Sequence, residues 1–282
     1  MRLLNAAVPP STVHADRLKG LILDWAGTTV DHGSLAPAVT LQKVFASAHI
    51  ELTDSEIRRD MGLPKKDHIR GILSIPRVRD AWQAVHGKAP DEAVVEEMYS
   101  AFIPVQFSCL AEYSGLIPGV LDAVQRFRRR GLKIGSTTGY TRAMLDLLVK
   151  KSAKEGYIPD CSLSPEDVGA GRPQPFMIYE NAVRLQIWPL SAIAKIGDTP
   201  SDIHEALNAG AWAIGVAGTG NAIALSFQDF QALSASDREA RLNCARTELQ
   251  NAGAHYVVDT LADVDPVLDN IDLRLKAVRK LP

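Results

Sequence analysis

The sequence is poor in cysteine and shows no disulfide framework. Its 282 residues include three cysteines, an odd number without paired spacing: Cys109, Cys161 and Cys244. Disulfide-stapled domains and structural zinc sites need cysteines in pairs at characteristic spacings, so neither is expected here. Unpaired thiols in a chain of this length favour a reducing cytoplasm.

Long hydrophobic runs and a strong charge of either sign are also missing. No apolar run approaches the roughly 20 residues of a transmembrane helix. The first fifteen residues carry one arginine but no apolar stretch long enough for a signal peptide, and we interpret residues 1–17 as an N-terminal extension. A formal net charge of -2 gives no reason to expect nucleic acid or an anionic membrane as a partner. An anionic substrate would therefore have to be bound by a local site.

What the chain does contain is a series of short apolar runs that alternate with helical patterns. These runs predict strands at 21–23, 132–135, 161–163, 192–196 and 212–216. Strands joined by helices at this spacing imply right-handed crossovers and a parallel sheet. We therefore predict an α/β fold, with a Rossmann-like parallel sheet core and helices on both faces.

One long stretch, residues 34–112, has no strand signal and is predicted to be a helical insertion. Residues 53–56 have the pattern of a capping box, which predicts a short helix that ends near Gly62. The insertion divides the α/β core into residues 18–33 and 113–282.

The first candidate for chemistry is Asp24, which follows the apolar run 21–23. Gly27 and two threonines mark the end of the predicted strand. Asp24 is therefore expected at the carboxyl end of a central strand, where open α/β sheets bind their ligands. A carboxylate there is a candidate nucleophile. Taken alone, an Asp that satisfies backbone amides in a turn is the more common case.

Further polar residues follow two other predicted strands or lie between them. Because the carboxyl ends of parallel strands meet at one edge of a sheet, these residues are expected to converge with Asp24. Asp198, with Asp202, would add the hard oxygen ligands that magnesium prefers. Thr138 could hold phosphate oxygens, and Arg172 could offset their charge. Each signal also has a plainer explanation, since GDTPSD could be a capping turn and Arg172 a surface residue.

Taken in order, the segments DWAGTTVD, STTG, the Arg172 loop and GDTPSD resemble the four motifs of the haloacid dehalogenase superfamily of phosphotransferases. The resemblance covers residues 18–32 and 114–260, and it implies that residues 34–112 form the cap domain of such enzymes. It further implies that Asp24 attacks phosphorus and forms an aspartyl phosphate. The matching positions for Mg2+ are Asp24, Ala26, Asp198 and Asp202, and those for phosphate are Ala26, Gly27, Thr138, Gly139 and Arg172.

Ala26 departs from the pattern of the phosphatases in this superfamily. Those enzymes usually carry a second Asp two positions after the nucleophile, where it protonates the oxygen of the leaving group and later activates water. Alanine at this position implies either an inactive protein or a leaving group that is not an oxygen.

The helical insertion offers a second kind of nucleophile. Lys65 and His68 are three residues apart and share a face if their segment is helical. A lysine in a dry cleft is easily deprotonated and can condense with a carbonyl. The plainer alternative is that Lys65 and Lys66 are solvated charges near a helix start. Two cations are unfavourable at a helix N-terminus, although Asp67 partly offsets this.

The segment MG followed by K-x-D-H, together with Ala26, resembles the phosphonatase branch of the superfamily. The resemblance implies that Lys65, rather than Lys66, forms a Schiff base with an aldehyde substrate, and that His68 moves protons. Candidates for the lysine pocket, or equally for the core, are Met61 and Tyr140. Candidates for contact with the entering substrate are His32 and Ser34.

The reaction implied by this resemblance is hydrolysis of the carbon–phosphorus bond of phosphonoacetaldehyde to acetaldehyde and phosphate. A protonated imine accepts the electrons of the broken bond, so no acid is needed at position 26. The alternative activity is that of a phosphate-ester phosphatase of the same fold, of the sugar phosphate or phosphoglycolate type. A silent binding protein is disfavoured because Asp24, Arg172 and Asp198 are all present. The resemblance also implies a homodimer formed through the cap domain, for which Trp82 on a mixed apolar helix is the only support and could equally be core.

Overall fold

A parallel sheet forms the centre of the structure, a computed structural model that describes residues 15–279 without the side chains of 278 and 279. The strands are β1 (Gly20–Leu23), β2 (Lys133–Thr137), β3 (Cys161–Leu163), β4 (Ile193–Gly197), β5 (Trp212–Val216) and β6 (Tyr256–Val258). They form one sheet in the order β3-β2-β1-β4-β5-β6, and every pair is parallel. The predicted parallel sheet is confirmed. Residues 1–14 of the predicted N-terminal extension lie outside the described residues.

Strand β1 lies in the middle of the sheet, between β2 and β4. All four of its residues are buried, which explains why they form a continuous apolar run rather than an alternating one. From β1 the chain moves outward through β2 to β3 and then returns to β4 on the other side of β1. Open α/β sheets bind ligands where the strand order reverses in this way. Asp24 follows β1 and Asp198 follows β4, so both lie at the reversal.

Five helices follow β1 in the chain, where a helical insertion is predicted from the sequence. They are α1 (Leu35–Ser47), α2 (Asp54–Arg58), α3 (Lys65–Leu73), α4 (Pro76–His86) and α5 (Glu92–Tyr113). The predicted capping box is present at Thr53 and Glu56. Helix α2 ends at Arg58, before the predicted end near Gly62, because the chain turns there and Gly62 takes a φ of 90°. No helix within residues 15–279 is both long and apolar enough to cross a bilayer.

Within residues 15–279, seven more helices belong to the α/β core. They are α6 (Val120–Arg129), α7 (Arg142–Lys154), α8 (Phe176–Leu185), α9 (Pro200–Ala209), α10 (Phe227–Ala232), α11 (Ala235–Asn251) and α12 (Asp265–Arg279). Helices join consecutive strands of this parallel sheet, which confirms the predicted fold class. Because such crossovers are right-handed, a strand order that runs outward in two directions from β1 puts helices on both faces of the sheet. Helix α10 was not predicted, because its six residues are too few to show a period. One continuous apolar core joins the cap and the sheet, from Phe45 and Phe102 to Ile22 and Ile134.

Candidate active site

Asp24 lies at the end of β1 and is almost completely buried. Its backbone N–H donates to the carbonyl of Ile196 at 2.9 Å, which ties the two central strand ends together. Burial raises the pKa of Asp24, and the nearby carboxylate of Asp202 raises it further, while Arg172 opposes both. The turn that follows requires Gly27, because its φ is 83° and a Cβ there would overlap the carboxylate of Asp198.

Three buried carboxylates meet at the reversal of the strand order: Asp24, Asp198 and Asp202 each offer one oxygen, and these oxygens lie within 4.8 Å of one another. Asp198 accepts hydrogen bonds from the backbone of Asn221 at 2.7 Å and from the hydroxyls of Thr28 and Ser34 at 3.3 Å. Burial, together with Asp24 and Asp202, raises the pKa of Asp198 well above its usual range. Clustered hard oxygens with this excess of negative charge fit a divalent cation.

Asp202 differs from the other two carboxylates because one of its oxygens lies against two cationic side chains. One oxygen lies 2.9 Å from Arg172 and 2.7 Å from Lys195, and the other accepts from the hydroxyl of Thr199 at 2.6 Å. Although burial alone would raise the pKa of Asp202, Arg172 and Lys195 lower it. Asp202 therefore positions the side chains of Arg172 and Lys195. Its expected role as a metal ligand stays a prediction.

Arg172 is buried at the centre of this charge cluster. Its Nη2 donates to Asp24 at 2.6 Å and to the carbonyl and hydroxyl of Thr137 at 2.8 Å each. Its Nε donates to Glu205 at 3.1 Å. Burial would lower the pKa of Arg172, but Asp202 and Asp24 raise it above the ordinary value, so the guanidinium stays charged. Arg172 is therefore not a surface loop residue, which was the plainer explanation of its sequence signal.

Sequence reasoning missed two members of this cluster, Lys195 and Glu205. Both side chains are fully buried, and their Nζ and Oε2 atoms lie 3.8 Å apart. Lys195 had a signal, since it is a single charge inside the buried strand β4. Glu205 follows Asp202 by three residues in α9 and so shares its helix face, but this spacing is common in surface helices.

Residues of the cap and of the core line one cavity over Asp24. The lining residues are Asp24, Ala26, Ser34, Pro37, Met61, Gly62, Lys65, Thr138, Gly139, Tyr140, Arg172 and Thr199. The structure thus brings together most of the residues expected at the site. Thr199, Pro37 and Gly62 line the cavity in addition.

Lys65 reaches this cavity from the first turn of α3. Its side chain is 5% exposed, and burial lowers its pKa to about 8, although Asp24 acts in the opposite direction. The Nζ atom lies 5.4 Å from the centre of the Tyr140 ring. Lys66 has a different environment, because its half-exposed ammonium pairs with Glu96 within the cap. Burial therefore separates Lys65 from Lys66 and agrees with the choice of Lys65.

His68 is buried in α3 but does not line the cavity. Its Nε2 lies 2.7 Å from the carbonyl of Ile57 and donates to it, which leaves Nδ1 as an acceptor. No partner for Nδ1 is found among the described residues. Burial and the nearby Lys65 lower the pKa of His68 to about 3, so the ring is neutral.

Two other expectations about side chains change. His32 lies away from the cavity, because its ring bonds the carbonyl of Leu225 at 2.8 Å and packs against Phe227. The expected contact of His32 with an entering substrate therefore finds no support. Trp82 is 4% exposed and belongs to the core of the cap, which favours the plainer of its two interpretations.

The segment between α2 and α3 rests directly on the core. A Cβ on Gly139 would lie 2.6 Å from the carbonyl oxygen of Leu63 and 2.8 Å from that of Gly62. A Cβ on Gly171 would overlap the ring of Pro64. The cap is thus seated on two core turns that lack side chains at the points of contact.

Comparison with known proteins gives concordant results. The chain matches the family model for haloacid dehalogenase-like hydrolases over residues 18–210. It is 39% identical over 256 residues to a phosphonoacetaldehyde hydrolase of Bacillus cereus, which covers 91% of this chain and 97% of that protein. It is 43% identical over 263 residues to a phosphonoacetaldehyde hydrolase of Nitratidesulfovibrio vulgaris, with coverage of 93% and 94%. A crystal structure of a phosphonoacetaldehyde hydrolase-like protein from Oleispira antarctica superposes with a TM-score of 0.92 at 36% identity, covering 96% of this chain and 99% of that one.

Proposed function

We propose that this chain, which belongs to the haloacid dehalogenase-like hydrolase family, hydrolyses the carbon–phosphorus bond of phosphonoacetaldehyde to acetaldehyde and phosphate. One observation carries the proposal. An amine of lowered pKa, Lys65, lines the same cavity as the candidate nucleophile Asp24. The names of the relatives agree with this activity.

The first step is condensation of Lys65 with the aldehyde. The neutral amine adds to the carbonyl carbon, and uptake of one proton with loss of water leaves a protonated imine. A pKa of about 8 means that part of Lys65 is neutral near neutral pH and can attack. The acceptor atom Nδ1 of His68 lies one helical turn after Lys65 on α3. We propose that His68 takes part in these proton transfers as a neutral imidazole.

The second step transfers the phosphoryl group to Asp24. A carboxylate oxygen attacks phosphorus, and the electron pair of the carbon–phosphorus bond moves toward the imine nitrogen, so the lysine-bound carbon group leaves as an enamine. Arg172 lies 2.6 Å from Asp24 and would balance charge on the phosphoryl oxygens. Ala26 lines the cavity without an acid, as expected for a leaving group that needs no proton on oxygen.

The third step returns the enzyme to its starting state. Water releases phosphate from Asp24, and protonation of the enamine followed by hydrolysis of the imine releases acetaldehyde and frees Lys65. Overall, one phosphonoacetaldehyde and one water give one acetaldehyde and one phosphate.

Magnesium is the proposed cation, held by Asp24, Asp198 and the carbonyl of Ala26, with Asp202 next to them. When bound, Mg2+ would neutralise the carboxylates and polarise the phosphoryl group. The excess of buried negative charge at Asp198 supports a cation here. The phosphate would contact Gly27, Thr138 and Gly139, while Met61 and Tyr140 would enclose the carbon end of the substrate.

Borohydride trapping tests the imine directly. Reduction in the presence of phosphonoacetaldehyde, followed by peptide mass mapping, should place a stable adduct on Lys65. The Lys66→Arg variant should label like the parent protein, and the Lys65→Arg variant should not label. An adduct on Lys66, or none on either lysine, would refute the assignment.

The alternative, a phosphate-ester phosphatase of the sugar phosphate or phosphoglycolate type, makes the opposite prediction. It requires faster phosphate release from esters than from phosphonoacetaldehyde, or activity that appears only in Ala26→Asp. We expect neither, because the cavity wall has no acid at Ala26 to protonate an ester oxygen.

The partner of this chain is a small phosphonate substrate, and we propose that the molecule is a homodimer joined through the cap domain, residues 34–112. Sedimentation of the purified protein tests this arrangement. A cytoplasmic location, expected from the unpaired cysteines, stays a prediction.

A further inference from the structure

A single arginine of the cap reaches across to two loops of the core. Arg58 is the last residue of α2, and its Nη1 lies 2.8 Å from the carbonyl of Gly33, 3.1 Å from the carbonyl of Asn221 and 3.0 Å from the Asn221 side-chain oxygen. Asn221 returns the contact, because its Nδ2 donates to the carbonyl of Arg58 at 3.2 Å. Cap and core are thus joined by reciprocal hydrogen bonds, which we name the Arg58–Asn221 clasp.

The same asparagine also contacts the carboxylate cluster. The backbone N–H of Asn221 donates to Asp198 at 2.7 Å. The preceding residue, Gly220, packs so closely that a Cβ there would overlap Asp198. Asn221 therefore contacts the cap through its side chain and carbonyl, and a candidate metal ligand through its backbone N–H.

The loop that carries Asn221 is tied to the nucleophile turn as well. Two residues earlier, Thr219 donates from its hydroxyl to the carbonyl of Gly27 at 2.7 Å. The carbonyl of Thr219 accepts from the backbone N–H of Gly33 at 2.8 Å. A shift of this loop would change the position of Asp198 and of the turn after Asp24 together.

Burial distinguishes the clasp from ordinary surface contacts. The side chain of Arg58 is 10% exposed, whereas that of its neighbour Arg59 is 48% exposed. Among the residues that the structure describes, Arg59 bonds only within the cap, to Asp60 and to the carbonyl of Gly71. A largely buried guanidinium that donates to carbonyl oxygens across an interface loses those hydrogen bonds if the interface opens, and its donors must then find other partners.

We propose that the Arg58–Asn221 clasp is a positioning device that couples the seating of the cap to the geometry of Asp198. The inference rests on the proposed use of a divalent cation at Asp198. Seating of the cap holds the Asn221 loop in place, and the loop holds Asp198 ready for the cation. Because coupling between two equilibria is reciprocal, cation binding must also favour the seated cap.

Cation affinity tests the first direction of this coupling. We expect Arg58→Gln and Asn221→Ala each to weaken Mn2+ binding about 10-fold, measured by electron paramagnetic resonance of free Mn2+. Asn221→Ala is informative because it keeps the backbone N–H that contacts Asp198 and removes only the two side-chain hydrogen bonds with Arg58. Arg59→Gln is the matched control and should bind Mn2+ like the parent protein. Unchanged affinity in both clasp variants, with folding verified by thermal melting, overturns the proposal.

Hydrogen exchange tests the reverse direction. In the parent protein, Mg2+ should slow amide exchange across residues 54–61 of the cap, and in Arg58→Gln this slowing should be lost. Slowing that persists in Arg58→Gln also overturns the proposal. If the parent protein binds no divalent cation, the proposed metal site is wrong; if it binds the cation and the variants bind equally well, only the clasp is wrong.

Discussion

At the scale of single residues, the ionisation of the Lys65 amine should set the pH dependence of the reaction. Burial lowers its pKa to about 8, and only the neutral amine can attack a carbonyl. We therefore expect kcat/KM to rise with pH through about 8 and then level off. Phosphate release from phosphonoacetaldehyde, followed from about pH 6 to about pH 10, measures this profile. A rate that does not rise through this range would contradict the assignment, as would turnover by Lys65→Arg, whose guanidinium cannot form an imine.

Glu205 is buried and contacts Arg172 at Nε, whereas Asp24 contacts Nη2. It accepts from Arg172 and from the hydroxyl of Thr137, each at 3.1 Å. We expect Glu205→Ala to lower the free energy of unfolding by about 3 kcal/mol, because it removes one of the buried carboxylates that pair with Arg172 and Lys195. Urea denaturation measures this loss. The matched control is Glu180→Ala, which removes a surface pair with Arg184 and should cost less than about 1 kcal/mol. Equal losses in both variants would contradict the role of Glu205.

At the scale of elements, the contact between the α2–α3 segment and the core turn at Gly139 should control the seating of the cap. A Cβ at Gly139 would push against the carbonyl oxygens of Leu63 and Gly62, which are backbone atoms and cannot turn aside. We expect Gly139→Ala to lower kcat/KM about 100-fold by displacing Lys65 from the substrate. Steady-state kinetics measures this loss.

The control for this prediction is Gly115→Ala, where an added Cβ meets no atom within 4 Å and the backbone has no positive φ. Gly115→Ala should retain the kinetics of the parent protein. Parent-like kinetics in Gly139→Ala would show that the cap tolerates the displacement, and the prediction would then be wrong.

At the scale of the whole molecule, the carboxylate cluster should make stability depend on a divalent cation. Burial raises the pKa of Asp198, which means that its ionised form is destabilised in the folded protein without a cation. A ligand that binds only the folded state stabilises it by about 2.7 kcal/mol at a concentration of 100 times Kd. We therefore expect saturating Mg2+ to raise Tm, and chelation to lower it again.

Asp198→Asn should abolish this rise in Tm, because it removes a charged cation ligand. Since it also removes an unfavourable buried charge, its Tm without Mg2+ should equal or exceed that of the parent protein. Asp146→Asn, on the exposed face of α7, is the control and should respond to Mg2+ like the parent. If the Tm of the parent protein does not change when Mg2+ is added, the proposed cation is wrong.

The sequence by itself determined what depends on local pattern. Continuous apolar runs gave the buried parallel strands, and the order of the motifs gave the convergence of Asp24, Asp198 and Arg172 at one edge of the sheet. Helix starts were predictable where caps and prolines mark them, as at the capping box of residues 53–56. Ala26 already pointed to a leaving group other than oxygen.

Only the tertiary structure decided what depends on packing between distant segments. Lys65 and Lys66 are adjacent and chemically identical, and they differ because one faces the cavity while the other pairs with Glu96 on the surface of the cap. Arg58 and Asn221 are 163 residues apart, and no local pattern relates them. Burial and charge balance are properties of the assembled interior, because the free energy of a charged group depends on all of its neighbours in space.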